Sequence, residues 1–422
     1  MEKKMRERYV ALLRDEMVLA LGCTEPIAIA YAAACAREAL GCEPKELELA
    51  CSGCVIKNAH SVVVPNSLGM KGIEAAAVLG ALAGNARSKL RVLEGVTQED
   101  VLRARNWQVM HSCVSRLAQG VDNLYICVTA KAGFDSATVV VSGSHTHIAS
   151  VIRNGEIVFE GEKAESRKAA QIELSIQQVL EFADEVELCA LEDVLEAEIR
   201  CNSEISQKGL NGEYGLSIGR TLLRARGEGD VQTRARAAAA AGSDARMNGC
   251  PTAVVINSGS GNQGMTVSLP LIEYAKEYQV PKERLYRALI VSNLVAIAQK
   301  RHIGSLSAYC GAVCAAAGAG AGIAYMLGHG YREISAVITY TLGTVGGMVC
   351  DGAKSSCAAK IAAALDVALT GLEIAITSGR TFAPGEGLIQ KNVDETIASV
   401  GRVGREGMRQ TNTEILNIML NS

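Results

Sequence analysis

The sequence predicts an α+β fold: a mainly helical domain into which a smaller α+β domain containing an antiparallel sheet is inserted. Three observations carry this. Apolar residues recur at helical spacing from Met1 to about Leu40, and again in Ala/Gly-rich stretches from about residue 163 to the end. Between Leu124 and Glu160 the period switches to two, with short Gly-containing turns between the runs. A chain of 422 residues is long enough for two domains and a large core. The expected division is residues 1–44 with 163–422 as a discontinuous helical domain that carries the chemistry, and residues 45–162 as the insert.

Taken in order, Tyr9, Leu12, Leu13, Met17 and Leu21 form one apolar stripe and predict a first helix. Gly22 and Pro26 flank a break at Gly22-Cys23-Thr24-Glu25-Pro26. An Ala-rich helix follows from about Ile27 to Leu40, with Gly41 suited to its C-terminus. Leu47 to Cys51 alternates, Val55-Ile56 and Val62-Val63-Val64 are β-branched, and Pro65-Asn66 makes a turn, so this stretch reads as β-rich. An Ala-rich helix is predicted from about Lys71 to Leu82, and a helix pair from about Gln98 to Leu117. Leu124–Ala130, Ser136–Ser142, Thr146–Arg153 and Glu156–Glu160 then read as strands of an antiparallel meander. Asn154-Gly155, between the last two, is of the type favoured in a two-residue hairpin. From about Lys163 polar segments such as Glu165-Ser166-Arg167-Lys168 give way to Ala/Gly-rich helices, including Ala237 to Ala241. Pro270, Pro281 and Pro384 are expected boundaries.

Composition excludes some functions. A formal charge of −3 and the lack of a basic tract with interleaved aromatics give no electrostatic reason to expect nucleic acid or an anionic membrane as partner. The charged start, Met-Glu-Lys-Lys-Met-Arg-Glu-Arg-Tyr, has no apolar signal segment behind it. The longest weakly charged stretch, about Ile303 to Leu327, contains serines and glycines and no aromatic belt, which predicts a buried helix or helix pair rather than a bilayer span. Fourteen cysteines without an export signal predict a reducing, cytoplasmic setting with thiols free for metals or chemistry. Small residues on the helices are compatible with a homodimer.

Three cysteines, Cys310, Cys350 and Cys357, stand in an Ala/Gly-rich region, the last two bracketing Cys350-Asp351-Gly352-Ala353-Lys354-Ser355-Ser356-Cys357. Thiolates favour iron–sulfur clusters, zinc or copper(I), and three ligands leave one metal position open for a substrate. Cysteine also packs among alanines as a small hydrophobe, so spacing alone leaves both readings standing. The run Asn257-Ser258-Gly259-Ser260-Gly261-Asn262-Gln263-Gly264 follows an apolar strand and suits an anion-binding backbone nest, although a plain Gly/Ser loop has the same composition. It is neither a Walker A sequence nor a dinucleotide fingerprint. Cys23, at the start of a helix, suits a thiol of lowered pKa, or an inert turn cysteine. Lys57, Asn58, His60, Asn66 and Lys71 offer polar groups to a substrate or to solvent. His145 and His147 read as a surface pair on one strand face.

In combination these segments resemble a known family. Gly22-Cys23-Thr24-Glu25-Pro26, the Asn257–Gly264 loop, Lys300-x-x-Ile-Gly-x-Leu-Ser-Ala-x-Cys310 and Met348-Val349-Cys350-Asp351-Gly352-Ala353-Lys354-x-x-Cys357, in this order, resemble the L-cysteine desulfidase family, related to the α chain of iron–sulfur L-serine dehydratase. The resemblance extends over essentially the whole chain. It implies an oxygen-sensitive [4Fe–4S] enzyme that converts L-cysteine to pyruvate, ammonia and sulfide, with Cys310, Cys350 and Cys357 as cluster ligands and Cys23 as proton acceptor. The dehydratase branch has its last two cluster cysteines further apart, which favours the desulfidase side. Cys314 receives no role from it. The residues agree with such chemistry. β-Elimination from a small amino acid needs a base, for which Cys23 is the candidate, and a Lewis acid for the leaving group or carboxylate. Ser258, Ser260 and Asn262 are candidates to bind the substrate carboxylate, and no lysine lies in a recognisable pyridoxal-phosphate context. The alternatives are elimination of water from L-serine or a related hydroxy-amino acid, and a non-enzymatic iron or redox sensor.

Overall fold

The computed structural model describes residues 1–162, 172–304 and 306–421. The polar segment Glu165–Lys168 and the expected helical start at Lys163 lie outside them. The fold is α+β and mainly helical, as the sequence predicts.

Helix α1 (Lys3–Glu16) buries Tyr9, Leu12 and Leu13. It does not continue through Leu21. Leu19–Leu21 is a strand, β1, paired antiparallel with β8 (Ala253–Val255), so Met17 and Leu21 are buried outside the helix that the stripe suggested. Helix α2 (Thr24–Leu40) begins three residues earlier than predicted, because Pro26 lies in the first turn, where a missing N–H breaks no helical bond. It ends, as expected, at Gly41 in the left-handed conformation.

Six strands make the main sheet: β2 (Glu46–Cys51), β3 (Ser112–Leu117), β4 (Tyr125–Ala132), β5 (Asp135–Ser142), β6 (Ile148–Arg153) and β7 (Glu156–Glu160), in the order β3-β2-β4-β5-β6-β7. The meander from β4 to β7 is antiparallel, with Asn154-Gly155 turning the last hairpin. The sheet as a whole is mixed, since β3 runs parallel to β2 after a crossover through α3 (Gly53–Ala59), α4 (Gly72–Ala83) and α5 (Gln98–Met110). The predicted helix pair over Gln98–Leu117 is therefore one helix and one edge strand. β3 is almost wholly exposed, so its sequence carries no burial period to betray it. Val55 and Ile56 lie in α3, whose N-terminus is capped by Ser52, and Val63 makes only an isolated bridge to Lys71. Helix α2 packs on β4 and β5, with α4 against its side. Gly80 permits that approach: a methyl there would meet Ala30 O at 2.2 Å.

The helical body contains α6 (Ile176–Glu185), α7 (Glu192–Asn211), α8 (Ile218–Arg226), α9 (Val231–Met247), α10 (Gly261–Glu277), α11 (Lys282–Ile303), α12 (Gly311–Met326), α13 (Tyr331–Val345), α14 (Ser356–Ser378), α15 (Val393–Arg402) and α16 (Arg409–Leu420). Helix α12, from the stretch tested as a membrane span, is buried from Ala312 to Met326 and is packed by α10, α11, α13 and α14. Among the described residues, α14 alone is long and apolar enough to cross a membrane, and half of its apolar window is buried in the fold. Pro281 caps α11, and Pro384 lies in the segment between α14 and α15. Pro270, expected at a boundary, is inside α10. That helix is buried along most of its length, so packing outweighs one lost N–H bond.

Candidate active site

Tyr309 and Val349 form an antiparallel bridge. It brings Cys310 beside Cys350, with Cys310 N–H donating to Met348 O (2.9 Å) and Cys350 N–H to Ala308 O (2.6 Å). Cys310 is the N-cap of α12, and Cys357 is the second residue of α14. The loop between the last two cysteines is held from both sides. The buried Lys57 ammonium donates to Ser307 O (3.2 Å), Cys350 O (3.0 Å) and Asn412 Oδ1 (2.9 Å), and Asp351 pairs with Lys354 and Lys360. The Cys310 thiol donates to Cys350. That bond and the Lys57 and Lys360 charges hold Cys350 well below the ordinary thiol range despite burial. The same bond and burial push Cys310 up, and burial raises Cys357.

Cys310, Cys350 and Cys357 line one cavity of about 110 Å³ together with Cys23, Ser258, Ser260 and Asn262. The seven residues expected from the sequence as cluster ligands, proton acceptor and carboxylate binders all line it. Cys23, the N-cap of α2, packs with Val62, Met247, Ala353 and Cys357, and its thiol donates to Glu25 Oε2 at 3.2 Å. Here the expectation of a lowered pKa fails: burial first, then the Glu25 charge, push the thiol well up, and these outweigh the helix N-terminus. Glu25 is buried too, and burial alone would raise it. His145, whose Nε2 lies 3.7 Å from Oε1, the Cys23 thiol and the Asn58 amide (3.0 Å) instead hold it below the ordinary carboxylate range. The pair rests as thiol and carboxylate.

The Asn257–Gly264 run is not an open nest. Asn257 and Ser260 exchange both backbone hydrogen bonds (3.1 and 2.9 Å), and Ser258 (φ 49°) and Gly259 (φ 74°) are left-handed, as a two-residue reverse turn requires. Gly259 is also required by space, since a Cβ would lie 2.9 Å from His145 Cε1. Thr24 Oγ1 donates to Gly259 O (2.8 Å), tying the turn to α2, and Ser260 caps α10 by accepting from Gln263 N–H (3.4 Å). Beneath the turn runs a polar chain that is fully buried from Asn257 onward. Ser258 Oγ donates to Asn257 Oδ1 (2.9 Å), Asn257 Nδ2 to Asn293 Oδ1 (2.9 Å), and Asn293 Nδ2 to the carboxyl of Glu198 (3.1 and 3.2 Å). Burial pushes Glu198 up to about 8, so it is a neutral acid at pH 7.

Of the polar residues before α4, Lys57 and Asn58 serve the site, the first as a clamp and the second on Glu25; His60, Asn66 and Lys71 do not line it. The histidines are not a strand pair. Both precede β6 in the turn after β5, where His145 enters the cavity and His147 Nδ1 contacts Ser142 O (2.8 Å). Sequence reasoning passed over Glu25, although it stands inside the motif around Cys23. It also missed Arg246, whose signal was an arginine at the end of an Ala-rich helix, two residues after Asp244. Cys314 is fully buried in α12 and does not line the cavity.

Four helices, α2, α10, α12 and α14, begin at this cavity, and their positive ends favour anionic thiolates and carboxylates there. Among the described residues no three His, Cys, Asp or Glu side chains converge on a single point as for one metal ion. Three thiols lining one cavity are the donor type that an iron–sulfur group takes.

Fold and site together define a mainly helical α+β protein with a cavity lined by thiols and a buried carboxylate. The family described as Serine dehydratase alpha chain matches residues 87–417, and the chain belongs to it. It is 48% identical to a UPF0597 protein of Lachnoclostridium phytofermentans, over 99% of this chain and all of the relative. It is 45% identical to one of Desulfitobacterium hafniense, over all of this chain and 99% of the relative. A UPF0597 protein of Treponema denticola is 44% identical over the same shares.

Proposed function

We propose that the protein is an iron–sulfur-dependent lyase that removes sulfide from L-cysteine by β-elimination, leaving pyruvate and ammonia. The observation that carries this reading is the shared cavity: the three wall thiols and the Cys23–Glu25 pair line the same space of about 110 Å³, the size of a small amino acid. Cys310, Cys350 and Cys357 would hold a [4Fe–4S] cluster. When bound, such a cluster with one open iron supplies a Lewis acid for the substrate.

The chain's own residues supply the proton chemistry. In one concerted relay the Cys23 sulfur takes the substrate's α-proton as its own proton passes to Glu25 along the existing 3.2 Å hydrogen bond, so no free thiolate has to form first. His145 lies beside Glu25, with Nε2 3.7 Å from Oε1. As the α-proton leaves, the β-carbon loses hydrosulfide, and the resulting enamine tautomerises and hydrolyses in water to pyruvate and ammonia. Ser258, Ser260 and Asn262 provide polar groups to the substrate, and the burial of Cys23 shields its sulfur from bulk water.

A second reading, dehydration of L-serine by the same residues, is favoured by the description of the family. The test is pyruvate formation by anaerobically reconstituted protein from L-cysteine and L-serine at matched concentrations. A larger kcat/KM for L-cysteine supports the desulfidase, and a larger one for L-serine replaces it with the dehydratase. Cluster binding without turnover of either defeats both and leaves a sensor.

A further inference from the structure

The proton chemistry leaves Arg246 unused. It is the penultimate residue of α9, 2% exposed, and it lines the cavity. Nη1 donates to Asn262 Oδ1 (3.4 Å), whereas Nε and Nη2 are buried without a partner. Among the described residues Arg246 forms no ion pair. The fold makes room for it at a specific point. A Cβ on Gly261, the first residue of α10, would lie 2.4 Å from Nε and 2.7 Å from Cζ, so a side chain there would displace the guanidinium. A buried guanidinium with idle donors is unfavourable by itself, and the deficit is relieved by an anion arriving in the cavity. Nε and Nη2 form one edge of the planar fork, the geometry that takes both oxygens of a carboxylate.

We propose that Arg246 is the carboxylate anchor of the site, binding both oxygens of a small α-amino or α-keto acid through Nε and Nη2. This rests on the lyase reading above and sharpens it. Asn262 orients the guanidinium from Nη1, and Ser258 and Ser260 are left for the rest of the substrate. The cavity, about 110 Å³, restricts that substrate to a short side chain.

The test is calorimetric binding of pyruvate, and of its neutral amide, to the anaerobically reconstituted full chain. Wild type, Arg246→Gln and Arg246→Lys are compared, with iron per chain measured on each preparation. Wild type should bind pyruvate and not the amide. Arg246→Gln should weaken pyruvate roughly 30-fold or more, with iron unchanged, since truncating one partner of a buried charged pair has effects of that order. Arg246→Lys, with charge but no fork, should recover only part of the loss, and KM for the amino acid should follow the same ranking. Equal pyruvate binding by wild type and Arg246→Gln overturns the proposal. So does loss of iron in both variants, which would make Arg246 a counter-ion of the cluster, and so does a wild type that binds no carboxylate. Pyruvate binding that depends on Arg246 in a protein that turns over no amino acid sustains the anchor and removes only the lyase reading.

Discussion

Replacing Glu198 by Gln should abolish a pH dependence of stability that the wild-type protein carries in its core. Glu198 is fully buried, Asn293 Nδ2 faces both its oxygens, and among the described residues it has no ion pair. Burial moves its ionisation from the ordinary 4.5 up to about 8. Below pH 4.5 the carboxyl is protonated both folded and unfolded. Between there and about 8 the unfolded chain has released a proton that the folded chain retains, so stability falls as pH rises through this window and levels off above it. At 1.36 kcal/mol per pH unit the loss approaches roughly 3 kcal/mol by pH 7 and roughly 5 kcal/mol above pH 8, as upper figures. Glutamine keeps the donor and acceptor of the protonated acid and cannot ionise. Urea denaturation midpoints of both proteins, measured in parallel from pH 5 to 9 under reducing conditions, should diverge with rising pH in favour of Glu198→Gln. Parallel profiles would refute the reasoning, as would a wild type that gains on the variant with pH.

Single replacements of Cys310, Cys350 and Cys357 by Ala should each remove most of the bound iron after anaerobic reconstitution, while Cys314→Ala, changed at a thiol outside the cavity, should retain it. Equal iron in all four sinks the ligand assignment. Cys23→Ser should keep iron and fold yet lower turnover by roughly 10²–10⁴, the usual weight of a positioned base. Retained activity eliminates Cys23 as that base, and loss of iron makes it a ligand instead. Lys57→Met leaves Ser307 O, Cys350 O and Asn412 Oδ1 without their donor and should destabilise the chain by roughly 2–4 kcal/mol. A stability within 0.5 kcal/mol of wild type, roughly the scatter of surface changes, would show the clamp to be unimportant.

The cavity was legible where its residues lie in short, unusual strings. Gly22–Pro26, the Ser/Gly turn and the cysteine loop each announce themselves, and the fold brings all three to one place. His145 was not legible, because it arrives on a turn of the sheet, and only the tertiary packing of that turn against Gly259 makes it part of the site. The reading of Cys23 failed on electrostatics for a related reason. A helix N-terminus is visible in sequence, whereas the burial and the neighbouring carboxylate that outweigh it are not. Strand β3 escaped because an exposed edge strand is defined by its backbone pairing to β2, which leaves no apolar alternation. Pro270 misled in the opposite direction, since a rule about local hydrogen bonds was overruled by burial of the whole helix.

The cavity joins the start of the chain to its last fifth, Cys23 to Cys357, and this governs when it can exist. A nascent polypeptide growing at 5–20 residues per second exposes Cys23 for roughly 20 seconds to a minute before Cys357 is even polymerised. Throughout that interval the wall is incomplete, and α12 has no α14 to lie against. A chain stopped short of Cys357 therefore lacks one of the three wall thiols, whatever group they would hold.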